Sequence, residues 1–218
     1  KFIREHVIRE LLKYGGGQLT QLLRRASIFR RFVLKEGVRL LATGAEIKNW
    51  EELLLEGMRL SLIEHDWVRR GYRLTPLLQA EFLSELNEEE TQNCHKAAFT
   101  YYKEICATHE HLDPIFVEEY IFHSLGSGEE DTASKQGTRL VKHFREHLSF
   151  RESRRVGLWI LSEKKQKLSL AHDASLLNET ALTLRVLSEY DDAIKLYNKS
   201  LVIDRKLYGK MHMNAARD

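Results

Sequence analysis

The sequence predicts a mainly α fold that contains one small β-hairpin and continues into antiparallel helical hairpins. Only two prolines occur in 218 residues, so there are few obligatory helix breaks. Leucine, glutamate, lysine and arginine, which favour helix, are abundant, and apolar residues recur at helical spacing along most of the chain. Only between residues 60 and 75 does the spacing change to that of short strands.

The composition favours a folded chain with nearly balanced charge. Hydrophobic residues make up 43% of the sequence, and 34 Lys and Arg face 32 Asp and Glu, which argues against a dedicated nucleic-acid binder. No apolar run reaches the ~20 residues that span a bilayer, and the first residues do not form a signal peptide. We therefore expect a cytoplasmic protein with no membrane contact. The missing initial Met and the end at Asp218 in mid-pattern predict that it is part of a longer chain.

Residues 1–16 are predicted to form a lead-in helix. Apolar residues recur from Phe2 to Tyr14, and three consecutive glycines follow. A glycine run before a helix could cradle phosphate, but the Gly-x4-Gly-Lys-Ser/Thr spacing of a P-loop is missing from the sequence. The glycines therefore predict a helix stop.

Residues 17–87 are predicted to form three helices, a hairpin and a closing helix. The third helix begins after Asn49, a candidate N-cap, and the closing helix begins at Pro76, where a missing N–H costs nothing. Strand-like pieces at 60–64 and 72–75 flank a six-residue tip. This order is that of a winged-helix domain. Its recognition helix would carry three glutamates, which repel phosphates, so we do not expect nucleic acid as a partner.

Residues 88–170 are predicted to form a spacer of antiparallel helices with short links. The spacer contains the one cluster of soft metal ligands: Cys94, His95, Cys106, His109 and His111. The first two lie about three helical turns from the rest, whereas zinc sites need four ligands around one ion. We therefore expect no metal, a buried Cys and solvent-facing histidines. No nucleophile signature occurs, so catalytic residues are not expected and the chain is not predicted to be an enzyme.

Residues 171–218 carry the most specific pattern. Small and aromatic residues fall where two helices of a hairpin would touch, at Ala181, Tyr190, Ala193, Tyr197 and Ser200. This spacing resembles a tetratricopeptide repeat, a protein-binding helical hairpin, in its longer form of about 42 residues as in kinesin light chains. Residues 212–216 resemble the opening of a further repeat in an α-solenoid.

The resemblance to this repeat also implies a binding face on the inner helix. By carry-over of the usual binding positions, its residues are Ser175, Asn178, Leu182, Arg185 and Val186. Such a face suits an extended peptide or a protein loop. The alternative is that the hairpin only stacks on a neighbouring repeat.

Residues 17–87 add a second resemblance. Residues 22–29 are similar to the helix that opens the winged helix of STAND NTPases of the NB-ARC and NACHT kind, and residues 62–64 and 72–78 are similar to its closing hairpin and helix. In NB-ARC proteins a Met-His-Asp motif here reads bound ADP. Leu74, Thr75 and Pro76 stand at those positions, so Thr75 replaces the sensing His.

The resemblance implies that this chain is the regulatory arm of a signal-transducing ATPase. The ATP- or ADP-binding core would lie before Lys1, and the chain itself would hold no cofactor. Its partners would be a protein or peptide ligand, sensed by the repeat, and the nucleotide-binding domain of the same protein, with oligomers formed only by the full-length protein. The alternatives are a winged-helix transcriptional regulator that binds DNA and a scaffold of repeats that does not switch.

Overall fold

The computed structural model describes residues 2–68, 70–108, 113–165 and 170–209. Within these ranges it contains ten helices and one two-stranded antiparallel sheet, which confirms the predicted mainly α fold with a small β-hairpin. The helices are α1 (Phe2–Ala26), α2 (Lys35–Thr43), α3 (Trp50–Arg59), α4 (Pro76–Glu85), α5 (Glu88–Thr108), α6 (Pro114–Ser127), α7 (Glu130–Glu146), α8 (Phe150–Glu163), α9 (Ala171–Val186) and α10 (Tyr190–Tyr208), and the strands are β1 (Ile63–Asp66) and β2 (Gly71–Leu74).

The chain divides into two compact units, which we call unit 1 (Lys1–Ile105) and unit 2 (Cys106–Asp218). Most of α5 belongs to unit 1. The finer limits expected from the sequence, at residues 16, 87 and 170, stay predictions.

The glycine run breaks α1, as predicted. Gly16 has φ 78° and ψ 173°, so two helical segments meet at a kink within Phe2–Ala26. A residue with a side chain rarely adopts this φ, whereas glycine does so at little cost. The second segment begins the core of unit 1, where Leu19, Leu22 and Leu23 are fully buried.

The hairpin of unit 1 is shorter than predicted. Strand β1 pairs with β2 from Ile63, opposite Leu74, to Asp66, opposite Gly71, so the tip has four residues instead of six. The first strand also begins later than expected, because the last turn of α3 continues through Leu62, whose N–H donates to the Gly57 carbonyl at 2.8 Å.

Two further sets of hydrogen bonds join elements of unit 1 that are distant in sequence. Val33 and Tyr72 exchange backbone hydrogen bonds of 2.9 and 2.7 Å, so Val33 lies beside β2 as a one-residue third strand. Gln79 of α4 donates from Nε2 to the carbonyls of Ser27 and Phe29, at 3.2 and 2.8 Å. These bonds fix α4 to the residues that follow α1. Asn49 precedes α3 as expected, but its side chain makes no capping hydrogen bond.

Unit 2 is built around helix α7, which packs against α6, α8 and α9. One apolar cluster is buried among the helices α6 to α9 and comprises Val117, Ile121, Ala133, Leu140, Val141, Val156, Ile160 and Leu176. Asp113 caps α6 by accepting a hydrogen bond from the Ile115 N–H at 2.9 Å. The resulting helical stack places α9 between α7, α8 and α10.

Candidate interaction site on helices α7, α9 and α10

The α9 and α10 helices pack through small residues. Ala181 and Ala193 are buried in one apolar cluster, with Tyr197 packed against it. The Ser200 hydroxyl donates to the Ala174 carbonyl at 2.9 Å, which requires the two helices to approach closely. The structure therefore places Ala181, Ala193, Tyr197 and Ser200, four of the five residues expected at this contact, between α9 and α10.

Tyr190, the fifth of these residues, departs from the expectation. Its side chain is 58% exposed because it is the first residue of α10 and precedes Ala193, the first buried position of that helix. Ile194 and Val202 on the same helix are also exposed. Helix α10 thus carries exposed apolar side chains in addition to the face that packs on α9.

A three-residue turn joins α9 to α10. Ser188 has φ 63°, and its N–H donates to the Arg185 carbonyl at 3.1 Å, while the Glu189 N–H donates to the Leu184 carbonyl at 2.9 Å. The Glu189 carboxylate also accepts two hydrogen bonds from Nε of Arg154 in α8, at 2.8 and 2.9 Å. This pair ties the turn to the preceding hairpin.

Helices α7 and α9 lie side by side and run in the same direction. Near their N-terminal ends, Nδ1 of His172 lies 2.9 Å from an oxygen of Asp131. Further along, Arg145 of α7 donates to the Glu179 carboxylate of α9 at 2.8 Å. The first pair joins the N-terminal turns of α7 and α9, and the second joins residues nearer their C-terminal ends. The two helices are therefore parallel.

The residues carried over as a binding face do not all reach the surface. Arg185 and Val186 are exposed, and Leu182 and Ser175 are half-buried. Asn178, by contrast, is only 6% exposed, because it shares the side of α9 that carries Ala174 and Ala181. The expectation that Asn178 is displayed to a partner is therefore wrong.

A buried ion pair, which the sequence pattern does not predict, lies at the start of α9. Lys164, just after α8, donates to Asp173 of α9, and their side chains are 3% and 2% exposed. Lys164 also donates to the Ser134 hydroxyl of α7 at 2.8 Å and to the Glu130 carbonyl at 3.3 Å. Asp173 accepts a further hydrogen bond from the Leu170 N–H at 3.1 Å. The sequence feature that could have indicated this pair is Asp173, an acidic residue in the first turn of α9.

The soft-ligand cluster is only partly described, because His109 and His111 lie outside the described residues. Among the residues the structure does cover, no three His, Cys, Asp or Glu side chains are grouped as a metal would require. Cys94 and His95 are buried, and burial raises the pKa of the Cys106 thiol to about 11. The expectation of solvent-facing histidines is wrong for His95, and His123, which lies outside this cluster, is also buried, one turn from Glu119.

Thr75, the position expected to correspond to a nucleotide-sensing His, has a local role. Its hydroxyl lies 3.0 Å from the carbonyls of both Ser61 and Leu62, and its N–H donates to Leu62 at 3.0 Å. These contacts join the end of β2 to the residues that precede β1. The side chain therefore stabilises the hairpin.

No protein-family model, curated protein or solved structure matches this chain. Within the described ranges, none of the helices is sufficiently long and apolar to cross a membrane.

Proposed function

We propose that this chain is the regulatory and protein-interaction arm of a STAND-type ATPase. In this proposal the α9–α10 hairpin is a tetratricopeptide-like repeat that binds a protein or peptide, and unit 1 is a winged helix that relays binding to a nucleotide-binding domain of the same protein. ATP or ADP would bind to that domain, and the present chain would contribute no catalytic residue.

The packing of α9 against α10 carries this proposal. Ala181 and Ala193 meet at the helix contact, and the Ser200 hydroxyl reaches the Ala174 backbone. In a repeat of this kind, the two helices bury one face of each helix against the other helix. The remaining faces bind a partner or stack on the neighbouring repeat. The exposed apolar residues of α10, Ile194 among them, fit the face that stacks on a neighbouring repeat.

The element order of unit 1 supports the winged-helix part. After the second segment of α1, the chain passes through the bridged residue Val33, then α2, α3 and the β1–β2 hairpin, before α4 closes the unit. The backbone bonds between Val33 and Tyr72 join the first extended segment to the last strand. This small sheet beside three helices fits the winged helix that we propose for unit 1.

The surface of α3 favours a protein-interaction role over DNA binding. Glu51 and Glu52 are exposed at its start, and Leu55 is exposed in its middle. Near its end, Arg59 is paired with Glu56 at 2.7 Å, which offsets the positive charge that a phosphate would need. Glu51 is itself paired with Lys35 at 2.9 Å, so within the described residues α3 presents one unpaired carboxylate, Glu52, and no unpaired cation that could hold a phosphate.

The test is the coding sequence that flanks this segment. We expect a Gly-x4-Gly-Lys-Ser/Thr loop on its N-terminal side and further hairpins at a spacing of about 42 residues on its C-terminal side. The longer protein should then retain ADP on purification and exchange it only when the ligand of the repeats is present. Flanking sequence with neither element would refute the ATPase arm and leave a non-switching helical scaffold.

A further inference from the structure

The α7–α8 hairpin has the same turn as the α9–α10 hairpin, 40 residues earlier. Leu148 has φ 59°, close to the 63° of Ser188 at the equivalent position. The Leu148 N–H donates to the Arg145 carbonyl at 3.1 Å, and the Ser149 N–H donates to the Phe144 carbonyl at 2.8 Å. Each of these bonds has its counterpart, 40 residues later, in the turn between α9 and α10.

The helix contact is equivalent as well. In the α9–α10 hairpin, Ala181 and Ala193 lie in one buried cluster. The equivalent residues 40 positions earlier are Val141 and Ser153, both fully buried, and the Ser153 hydroxyl donates to the Val141 carbonyl at 2.9 Å. The two hairpins are therefore successive repeats of one kind, and α7 is the inner helix that corresponds to α9.

This equivalence extends the candidate binding face from α9 to α7. The residues equivalent to Ser175 and Leu182 are Lys135 and Lys142, because each lies 40 positions earlier on the parallel neighbouring helix. Lys135 is exposed, and the side chain of Lys142 is 53% exposed.

The two lysines have few carboxylate partners, so their ammonium groups remain available to an anion. Glu179, a carboxylate at the α7–α9 junction, is already paired with Arg145, and Asp131 lies 2.9 Å from Nδ1 of His172. Lys142 has only an exposed contact of 3.7 Å with Glu146, and such pairs contribute little. Lys135 has no ion-pair partner among the described residues.

We propose that the α7–α9 face binds an extended peptide that carries two carboxylates three residues apart. Lys135 and Lys142 are separated by seven residues, or about 10.5 Å along the helix. A peptide in the extended polyproline II conformation covers about 9.3 Å in three residues and completes one turn, so carboxylates at this spacing face the same side. An apolar side chain beside the second carboxylate would contact Leu182 and Val186, the half-buried and exposed apolar residues of α9.

A peptide fits this face better than a nucleic acid does. A nucleic acid would bring a continuous row of phosphates across the face, including past the carboxylates of Asp131 and Glu146, whereas a peptide can place its carboxylates at the lysines alone. This inference rests on the proposed function, since it specifies the ligand of the repeat face.

The experiment selects random 12-residue peptides displayed on phage against the 218-residue chain and measures their affinities by fluorescence anisotropy. We expect enriched peptides with acidic residues at a spacing of three. Their affinity should fall about tenfold or more in the double variant Lys135→Glu/Lys142→Glu, since two favourable charge contacts become repulsive. Lys199→Glu, which reverses an exposed lysine on α10, is the matched control and should change affinity less than twofold. Circular dichroism checks that each variant is folded.

The other outcomes separate this inference from the proposed function. Enriched peptides without acidic residues, which lose affinity in Val186→Arg but not in the double lysine variant, would overturn the acidic ligand and leave the binding face intact. A selection that enriches no peptide would overturn the peptide-binding face itself.

Discussion

Replacement of Lys164 by Met should destabilise unit 2 strongly. The lysine ammonium makes three hydrogen bonds, to Asp173, Ser134 and the Glu130 carbonyl, and its side chain is 3% exposed. Met fills a similar volume but leaves the Asp173 carboxylate buried without its cation. Breaking a buried ion pair by removal of one partner typically costs about 3–5 kcal/mol in the free energy of unfolding.

Urea unfolding followed by fluorescence measures this loss. Trp159 packs against the core cluster of unit 2, so a background in which Trp50 and Trp67 are replaced by Phe reports on this unit. Lys165→Met is the matched control, because this neighbouring lysine has an exposed side chain and should change stability by no more than about 0.5 kcal/mol.

A double variant tests the reasoning further. Lys164→Met combined with Asp173→Asn removes both charges, so it should be more stable than Lys164→Met alone. A loss below about 1 kcal/mol for Lys164→Met would show that the pair is not buried as described, because only solvent-exposed pairs contribute so little.

Two further predictions follow from close packing and from burial. Gly157→Val should lower the free energy of unfolding by about 1–3 kcal/mol, because a β-carbon there would lie 2.4 Å from the hydroxyl of the buried Thr180. Gly17→Ala is the control, because a β-carbon at residue 17 would meet open space and should not destabilise the chain. Urea titration measures the free energy of unfolding of both variants. Burial raises the pKa of Cys106 from 9.0 to about 11, so the chain should lose stability as pH rises between these values, because the unfolded thiol ionises first. Cys106→Ser should flatten this part of the pH profile, and an unchanged profile would contradict the burial of the thiol.

Local sequence rules predicted the parts of the fold that depend on neighbouring residues. The glycine run predicted the break at Gly16, because only glycine adopts that φ readily. Pro76 predicted the start of α4, and Ala181 and Ala193 predicted the α9–α10 contact. In each case the residues that gave the prediction and the structural feature they predicted lie in the same helix or in two consecutive helices.

The features that depend on distant residues escaped the sequence analysis. The Val33–Tyr72 bridge joins residues far apart in the chain, and one extended residue has no periodicity of its own. The α7–α8 repeat was missed because Val141 and Ser153 stand where the α9–α10 repeat has two alanines. Asn178 was misplaced because a polar side chain at a helical binding position is buried here by neighbouring helices.

The candidate face lies next to the buried ion pair along the backbone, and this determines how the face can respond to a ligand. Lys135 directly follows Ser134, and Ser175 lies two residues after Asp173, so both sides of the face continue into the buried hydrogen-bond network. Movement of α9 relative to α7 would break the buried hydrogen bond from the Ser134 hydroxyl to the Asp173 carboxylate, which is costly. The face should therefore be rigid before the ligand binds, so that binding carries only a small entropic cost for ordering the protein. A signal passed to a partner domain would then come from rotation of the repeats as a body, and not from rearrangement between α7 and α9.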